Sequence, residues 1–260
     1  MSLKVCVLGS GSTGNSTFVS SEEQVILVDL GLPVLRIEKC LRALGVDADK
    51  VAVVLTHAHS DHTSSVETFL RRHPSVKVYC HEASLSSIRT KVGNIPLSPV
   101  GGDFFIGDIT VSPFAVSHDV PCVGYSFLCR GRKVTVATDT GIFPNKTLEK
   151  VSDSDLMVIE SNHDETLLLE NKNYPPHLKK RILSQRGHLS NETSASCVCY
   201  LAKQGVKQVV LAHLSKENNY PELAFETCKG CLASQGFCEG KDIRLEVALP
   251  DRMSSLFEIN

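Results

Sequence analysis

The sequence contains no apolar run long enough to cross a bilayer. Its longest runs, such as Val25–Val28 and Val51–Leu55, are far shorter than the roughly 20 residues that a membrane-spanning helix requires. Residues 1–14 carry one lysine and a short apolar stretch, without the apolar core and cleavage site of a signal peptide. These absences predict a cytosolic protein with no membrane partner.

The chain also lacks a charge excess, internal repeats and low-complexity segments. It has 27 Lys and Arg against 29 Asp and Glu in 260 residues, a formal net charge of −2, which argues against general coating of nucleic acid. A net charge near zero is still compatible with a local basic patch on the surface. The hydrophobic fraction of 42% is typical of a folded protein, and the missing linker predicts one domain over residues 1–260.

No disulfide or zinc-ribbon pattern is visible among the ten cysteines. They are scattered, often within apolar runs, where a reduced cysteine behaves as a small hydrophobic residue. Cys228-Lys-Gly-Cys231 is the only CxxC sequence, and no second pair lies at zinc-ribbon distance. The cysteines are therefore predicted to be reduced and structurally unremarkable.

The pattern of apolar residues predicts an α/β protein. Strands are predicted where β-rich apolar runs end at turn residues, at 4–8, 16–19, 25–29, 51–55, 76–80, 109–111, 123–129, 133–138, 156–160, 208–211 and 243–247. Helices are predicted where apolar residues recur three and four apart, at 33–44, 63–72, 176–183, 191–203 and 221–234. Two runs of strands flanked by helices predict two sheets packed face to face and covered by helices.

The strongest chemical signal is Thr56-His57-Ala58-His59-Ser60-Asp61-His62, directly after a predicted buried strand. A chance match to HxHxDH in this composition has a probability on the order of 10⁻³. In extended chain, His57 and His59 point the same way and can bind one metal ion. If a helix follows, Asp61 and His62 can face a second ion. Imidazole and carboxylate ligands suit Zn²⁺, Mn²⁺ or Fe.

This motif resembles the signature of the metallo-β-lactamase superfamily, whose fold is a four-layer αββα sandwich with two divalent metal ions at one edge. Further positions match the superfamily pattern in chain order, each just past an apolar strand. The resemblance implies that Asp29 orients the histidine-rich loop, His118 completes the first metal site, Asp139 bridges both metals and His213 completes the second site. With His57, His59, Asp61 and His62, these residues would form the metal centre.

The flanking segments resemble the WalJ/YycJ branch, which lies near tRNase Z and the cyclic phosphodiesterases. These segments are residues 9–15, 160–164, 187–191 and 213–219. The resemblance implies 5′→3′ exonuclease activity on DNA, in which a hydroxide shared by two metals attacks phosphorus. Glu160 and His188 match the pair that donates a proton to the leaving oxygen in tRNase Z-like enzymes.

Weaker candidates for substrate binding follow the predicted strands at 156–160 and 208–211. His163, Lys216 and Asn218 are predicted to lie near a substrate phosphate, and capping or plain loop polarity explains them equally well. The basic runs at 71–72, 130–133 and 179–181 could guide DNA, although solvated faces are the commoner explanation. The GxGxxG pattern at residues 9–14 precedes a predicted strand instead of a helix, so no nucleotide cofactor is predicted.

Two other functions are weighed beside the DNA exonuclease. A small cyclic phosphodiester is the alternative substrate: a basic groove would favour DNA, and a closed small pocket would favour the cyclic diester. A non-catalytic metal or redox sensor is the third interpretation, against which the complete ligand set argues. The native metal and the oligomeric state are left undetermined by the sequence.

Overall fold

Two mixed β-sheets form the centre of the protein, in a computed structural model that describes residues 3–260. Its strands are β1 (Leu3–Gly9), β2 (Ser16–Ser20), β3 (Val25–Val28), β4 (Val51–Leu55), β5 (Lys77–His81), β6 (Leu97–Val100), β7 (Phe104–Ile106), β8 (Ile109–Ala115), β9 (Val123–Cys129), β10 (Arg132–Ala137), β11 (Leu156–Glu160), β12 (Gln208–Ala212), β13 (Arg244–Val247) and β14 (Phe257–Ile259). Its α-helices are α1 (Val34–Ala43), α2 (Ser60–Thr63), α3 (Val66–Arg72), α4 (Glu82–Val92), α5 (Asn145–Val151), α6 (Glu165–Glu170), α7 (Pro176–Ile182), α8 (Asn191–Lys203) and α9 (Pro221–Ser234), and a short 3₁₀ helix spans Ala48–Lys50.

The two sheets have matching topology. The strand order is β14-β1-β2-β3-β4-β5-β6 in the first sheet and β13-β12-β11-β10-β9-β8-β7 in the second. Strands β3 to β6 are parallel, as are β10 to β13, whereas the other pairings are antiparallel. Each parallel half thus brings several strand carboxyl ends to one edge.

Successive side chains on each strand face opposite sides of the sheet, and this alternation divides the buried apolar residues into three cores. On β4, Ala52 and Val54 face the core between the two sheets, while Val53 and Leu55 face the helices that cover the first sheet. On β11, Val158 faces the central core and the residues on either side of it pack under α8 and α9. The resulting helix–sheet–sheet–helix layering confirms the predicted αββα sandwich.

The helix predicted over residues 63–72 is wrong in its boundaries. The chain forms α2 and α3 instead, because backbone groups in this stretch bond to Leu30: its N–H donates to the His62 carbonyl (2.9 Å), and its carbonyl accepts from the Ser65 N–H (3.0 Å). The hydrogen bonds at this interruption between α2 and α3 hold the histidine-rich loop against the end of β3. The elements α4, α5, α6, β6, β7 and β14 were not predicted.

No helix within residues 3–260 combines the length and the apolar character needed to span a membrane.

Candidate metal centre

The candidate site residues converge at one edge of the two sheets. Asp29 follows β3, and the histidine-rich loop follows β4. On the second sheet, His118 follows β8, Asp139 follows β10, Glu160 ends β11 and His213 follows β12. Both halves of the chain therefore contribute side chains to a single cluster.

One group in this cluster consists of three imidazoles. Ligand atoms of His57, His59 and His118 lie within 4.8 Å of one another. The His59 Nδ1 is 3.2 Å from the His118 Nε2, and the His118 Nδ1 lies 3.2 Å from the Gly187 carbonyl, to which it can donate. A histidine bound in this way by one ring nitrogen presents the other in a fixed direction.

A second group combines carboxylates and imidazoles. Ligand atoms of Asp61, His62, Asp139 and His213 also lie within 4.8 Å of one another. The Asp139 carboxylate is 3.1 Å from the His62 Nε2 and 3.5 Å from the His213 Nε2. Asp139 and His213 also belong to a third such group, with Glu160 and His188.

The Asp29 carboxylate holds the start of the histidine-rich loop. It accepts hydrogen bonds from the Thr56 backbone N–H and hydroxyl, both at 2.8 Å, and lies 2.7 Å from the His62 Nδ1. Thr56 Oγ1 is in turn 3.0 Å from the His57 Nδ1. One buried carboxylate thus fixes the orientation of two imidazoles.

Glu160 and His188 are in direct contact. The His188 Nδ1 lies 2.7 Å from the Glu160 Oε1, which is also 2.8 Å from the His213 Nδ1. The second carboxylate oxygen of Glu160 accepts the backbone N–H groups of Thr140 and Leu189. Burial raises the pKa of Glu160, but the His188 and His213 rings outweigh this effect and lower the pKa to about 2, so Glu160 is a carboxylate at neutral pH.

The electrostatics of the two groups differ. Burial, reinforced by the neighbouring His62 ring, lowers the pKa of His57 well below its usual range, so His57 is neutral and able to coordinate a metal. Burial disfavours the charged form of His213 too, but the carboxylates of Asp139, Asp61 and Glu160 outweigh it and raise the pKa of His213 to about 10. The carboxylate-rich group is therefore a strong attractor of positive charge.

The cluster fits divalent metal ions. The His57 Nε2 is buried and, among the described residues, has no hydrogen-bond partner. A buried polar atom without a partner is costly, and a neutral imidazole nitrogen facing two other imidazoles is a suitable ligand for a transition metal. The carboxylates of the second group supply the charge that a divalent cation prefers.

A cavity of about 220 Å³ opens beside the cluster. Its lining includes five residues of the cluster: His59, Asp61, Asp139, His188 and His213. Ser12, Asn162, Tyr174, Leu178, Arg181, Ile182 and Ser215 complete the lining. The cavity therefore places the two carboxylate-containing groups where a substrate can reach them.

A family model for the β-lactamase superfamily domain matches residues 26–214 of the sequence. The chain belongs to the metallo-β-lactamase superfamily. It is 35% identical to exodeoxyribonuclease YycJ of Bacillus anthracis over 93% of each chain, and 33% identical to exodeoxyribonuclease WalJ of Streptococcus pneumoniae over 98% of each. The metallo-β-lactamase fold protein YhfI of Bacillus subtilis has a TM-score of 0.74 at 16% identity, covering 99% of this chain and 100% of that one.

These relatives confirm the predicted resemblance to the WalJ/YycJ branch of the metallo-β-lactamase superfamily. The chain is accordingly a metal-dependent hydrolase. The predicted two-metal ligand set and the roles of individual residues belong to the proposal developed below.

Three residues of this metallo-β-lactamase site occupy the left-handed region of backbone space. Asp29, Asp139 and His213 have φ values of 65°, 58° and 56°, and the fourth such non-glycine residue between positions 3 and 260 is Arg130 in the β9–β10 turn. This conformation is uncommon outside glycine, although Asp and His tolerate it better than most residues. At the ends of β3, β10 and β12 it turns each side chain into the cluster.

Gly31 allows the histidine-rich loop to pass close to the end of β3. A Cβ added there would lie 1.6 Å from the Asp61 carbonyl oxygen and 2.8 Å from the Asn15 backbone nitrogen. Asn15 bonds to the same loop, since its side-chain amide donates to the Asp61 carboxylate at 3.2 Å. The glycine is therefore required by close packing of backbone on backbone.

We expect Gly31→Ala to lower the free energy of unfolding by about 3 kcal/mol or more, because two backbone segments must separate to admit the methyl group. Thermal unfolding followed by circular dichroism measures the change. Gly230→Ala is the matched control, since a Cβ at this exposed helix position meets nothing within 4 Å and is expected to be neutral or slightly stabilising. Equal unfolding temperatures for the two variants would contradict the packing argument.

The three weaker candidates lie outside the cavity lining. His163 and Asn218 are each only 1% exposed. Asn218 accepts a hydrogen bond from the Asn171 side chain at 2.6 Å, and its backbone carbonyl accepts from the Asp164 N–H, so it ties loops together. Lys216 is exposed and lines a neighbouring cleft. A substrate-binding role for these residues stays a prediction.

Sequence reasoning missed several residues at the site. Thr56 and Asn15 contact side chains of the candidate centre, and Asp119 lies 3.3 Å from both the His59 Nε2 and the His118 Nε2. Asp119 in turn pairs with Arg181, which belongs to the basic run at 179–181, and Arg186 donates to the His118 and Asp119 carbonyls. Asp119 directly follows a predicted ligand, which is the one sequence signal that pointed to it.

Proposed function

We propose that this chain is a dinuclear-metal-dependent phosphodiesterase that degrades DNA from its 5′ ends, with residues 1–260 forming one hydrolase domain. The observation that carries the proposal is the buried cluster of imidazoles and carboxylates in a chain 33–35% identical, over nearly its whole length, to relatives named exodeoxyribonucleases. Zn²⁺ and Mn²⁺ are the proposed ions, with Fe as a further candidate.

In this proposal each side of the cluster would hold one ion. His57, His59 and His118 would bind the first, and Asp61, His62 and His213 the second, with Asp139 shared between them. The bound ions would supply the Lewis acidity that activates a water molecule and neutralises charge on the phosphate. Asp29 would orient His57 and His62 through the contacts described above.

His188 is the proposed proton donor to the leaving oxygen. Its Nδ1 is engaged by Glu160, so its Nε2 is the ring nitrogen free to serve a substrate in the cavity that His188 lines. The Glu160 and Asp139 carboxylates outweigh the effect of burial and raise the pKa of His188. The geometry therefore favours a protonated imidazole beside the scissile bond, as general-acid catalysis requires.

A basic segment beside the cavity supports a polyanionic substrate. Residues 171–187 contain five Lys or Arg and no Asp or Glu, in a chain whose net charge is −2. Leu178, Arg181 and Ile182 of this segment line the cavity, and Lys172 and Lys180 of the same segment are exposed. A phosphodiester backbone entering the cavity would pass this positive surface, which favours a polyanion such as DNA over a small, singly charged cyclic diester.

Reversing the charge of two lysines in residues 171–187 tests whether this segment guides DNA to the cavity. We expect the double variant Lys172→Glu/Lys180→Glu to raise KM for DNA about tenfold at low salt, with the difference shrinking as salt rises. Hydrolysis of bis(p-nitrophenyl) phosphate should be unchanged. The matched control, Lys50→Glu/Lys207→Glu, reverses two exposed lysines that precede β4 and β12, at the opposite edge of the sheets. An equal KM change in both double variants would contradict a specific path.

The proposed function is tested with linear duplex DNA labelled separately at each 5′ and 3′ end. Metal-stripped protein receives Mn²⁺ or Zn²⁺, and the order in which the labels are released is followed by gel electrophoresis. The proposal expects early release of the 5′ label as short products. Absence of digestion by protein that binds two ions per chain would refute the DNA substrate, and turnover of a cyclic nucleotide by that protein would support the alternative substrate.

A further inference from the structure

Two facing thiols lie on the helices that cover the second sheet, away from the metal cluster. Cys199 is on α8 and Cys231 is on α9, and their Sγ atoms are 2.9 Å apart. A disulfide bond places two sulfur atoms about 2.05 Å apart, so a relative shift of about 1 Å would complete one. We propose that Cys199 and Cys231 are a redox-active pair that forms a reversible disulfide bond between α8 and α9.

The two thiols differ in access to solvent. Cys231 is half-buried, whereas Cys199 is 5% exposed. Burial, together with the adjacent Cys231 sulfur, raises the pKa of the Cys199 thiol to about 12. Cys231 is therefore the thiol that meets an oxidant from solution, and Cys199 acts second, its short distance compensating for its low thiolate fraction.

A small disulfide such as oxidised glutathione is the oxidant in the proposed reaction. The Cys231 thiolate attacks one sulfur of the small disulfide, which forms a mixed disulfide and releases one small thiol. Cys199 then loses its proton and attacks the Cys231 Sγ, which expels the second small thiol. Two protein thiols are oxidised and one small disulfide is reduced to two thiols.

The CxxC sequence on α9 offers an alternative disulfide bond, between Cys228 and Cys231, and the position of Cys228 disfavours it. Cys228 lies one turn before Cys231 on α9 and is 1% exposed. Burial, with additional effects from Cys199 and Cys231, raises the pKa of Cys228 above its usual range, which lowers its thiolate fraction and its reactivity. The close Sγ–Sγ contact is made by Cys199 and Cys231.

The bond would strengthen a helix pair that already meets beside the metal cluster. The Asn191 side chain, at the start of α8, donates to the Asn219 side chain at 3.0 Å, just before α9 begins. The cross-link would join the same helices about two turns further along α8 and about three turns further along α9. Constraining this 32-residue separation in the unfolded chain is expected to raise the unfolding temperature by roughly 5–10 °C.

Oxidation of the full chain tests the proposal. All proteins carry Cys238→Ser, which removes the exposed cysteine, and are treated with oxidised glutathione before thiols are counted in denaturant and disulfide-linked peptides are mapped by mass spectrometry. We expect the loss of two thiols, one Cys199–Cys231 peptide, a higher unfolding temperature and full reversal by dithiothreitol.

Two variants complete the design. Cys231→Ser should abolish both the thiol loss and the thermal shift, and Cys199→Ser should stop at the mixed disulfide on Cys231. If Cys199→Ser fails to fold, the peptide map of the parent protein and Cys231→Ser decide the question. A Cys228–Cys231 peptide, a mixed disulfide that persists in the parent, or an unchanged thiol count would overturn the proposal.

Discussion

Replacing Asp139 with alanine is expected to lower kcat for DNA hydrolysis by about 10³-fold or more and to reduce the metal bound per chain. The Asp139 carboxylate is buried, lies within 3.5 Å of imidazole nitrogens of His62 and His213, and belongs to two of the three groups that could hold an ion. Its removal deprives both proposed metal positions of shared negative charge. End-labelled DNA digestion and elemental analysis of the purified protein measure the two effects.

Asp103→Ala is the matched control for Asp139, because Asp103 is exposed in the loop before β7. It should retain full activity and metal content. An Asp139→Ala protein that kept two ions and wild-type kcat would remove Asp139 from the proposed centre. Normal unfolding behaviour of the variant would show that any loss reflects the site instead of the fold.

His188→Ala is expected to lower kcat for DNA by about 10²–10⁴-fold while the metal content stays unchanged. The physical reason is the loss of a proton donor held by Glu160 at 2.7 Å. A p-nitrophenyl ester offers a leaving group that needs no proton, so its hydrolysis should fall far less. Comparing kcat for DNA and for bis(p-nitrophenyl) phosphate therefore separates proton donation from other roles.

The control for this variant is His177→Ala, which removes an exposed histidine from the nearby helix α7. Loss of metal from His188→Ala would instead make His188 a ligand, consistent with its membership of the third side-chain group. Equal losses on both substrates would contradict the assignment as proton donor.

The sequence predicted the layered fold because the central strands are strongly patterned. β4, β9 and β11 and the helices α8 and α9 have the predicted bounds, since each is an apolar run or an amphipathic segment ending at turn or capping residues. The helix α4 was missed because its buried side chains are Ser84, Ile88 and Val92, too sparse a stripe to stand out. The three-residue strand β14 is too short to carry a pattern.

The candidate site was predictable where spacing or chain order carries the information. His57, His59, Asp61 and His62 form one local motif, and Asp139 and His213 follow predicted strands. Contacts between distant segments have no recognisable pattern in the sequence. For example, the hydrogen bonds of Asn15 with Asp61 and of Arg186 with His118 join residues 46 and 68 positions apart. Such partners are set by the packing of loops, which local periodicity does not encode.

The left-handed backbone at Asp29, Asp139 and His213 lowers thermal stability, while the side chains at these positions are needed for the proposed catalytic activity. A non-glycine residue in this conformation costs on the order of 1 kcal/mol, and glycine would remove that strain at each position. At Asp29 the hydrogen bonds to Thr56 and His62 offset this strain. A directed-evolution library screened only for survival on heating therefore has no reason to keep the side chains of Asp139 and His213 for their chemistry, and glycine at those two strand ends would remove them while the sheets remained intact. A selection for higher thermal stability of this protein must therefore also select for catalytic activity.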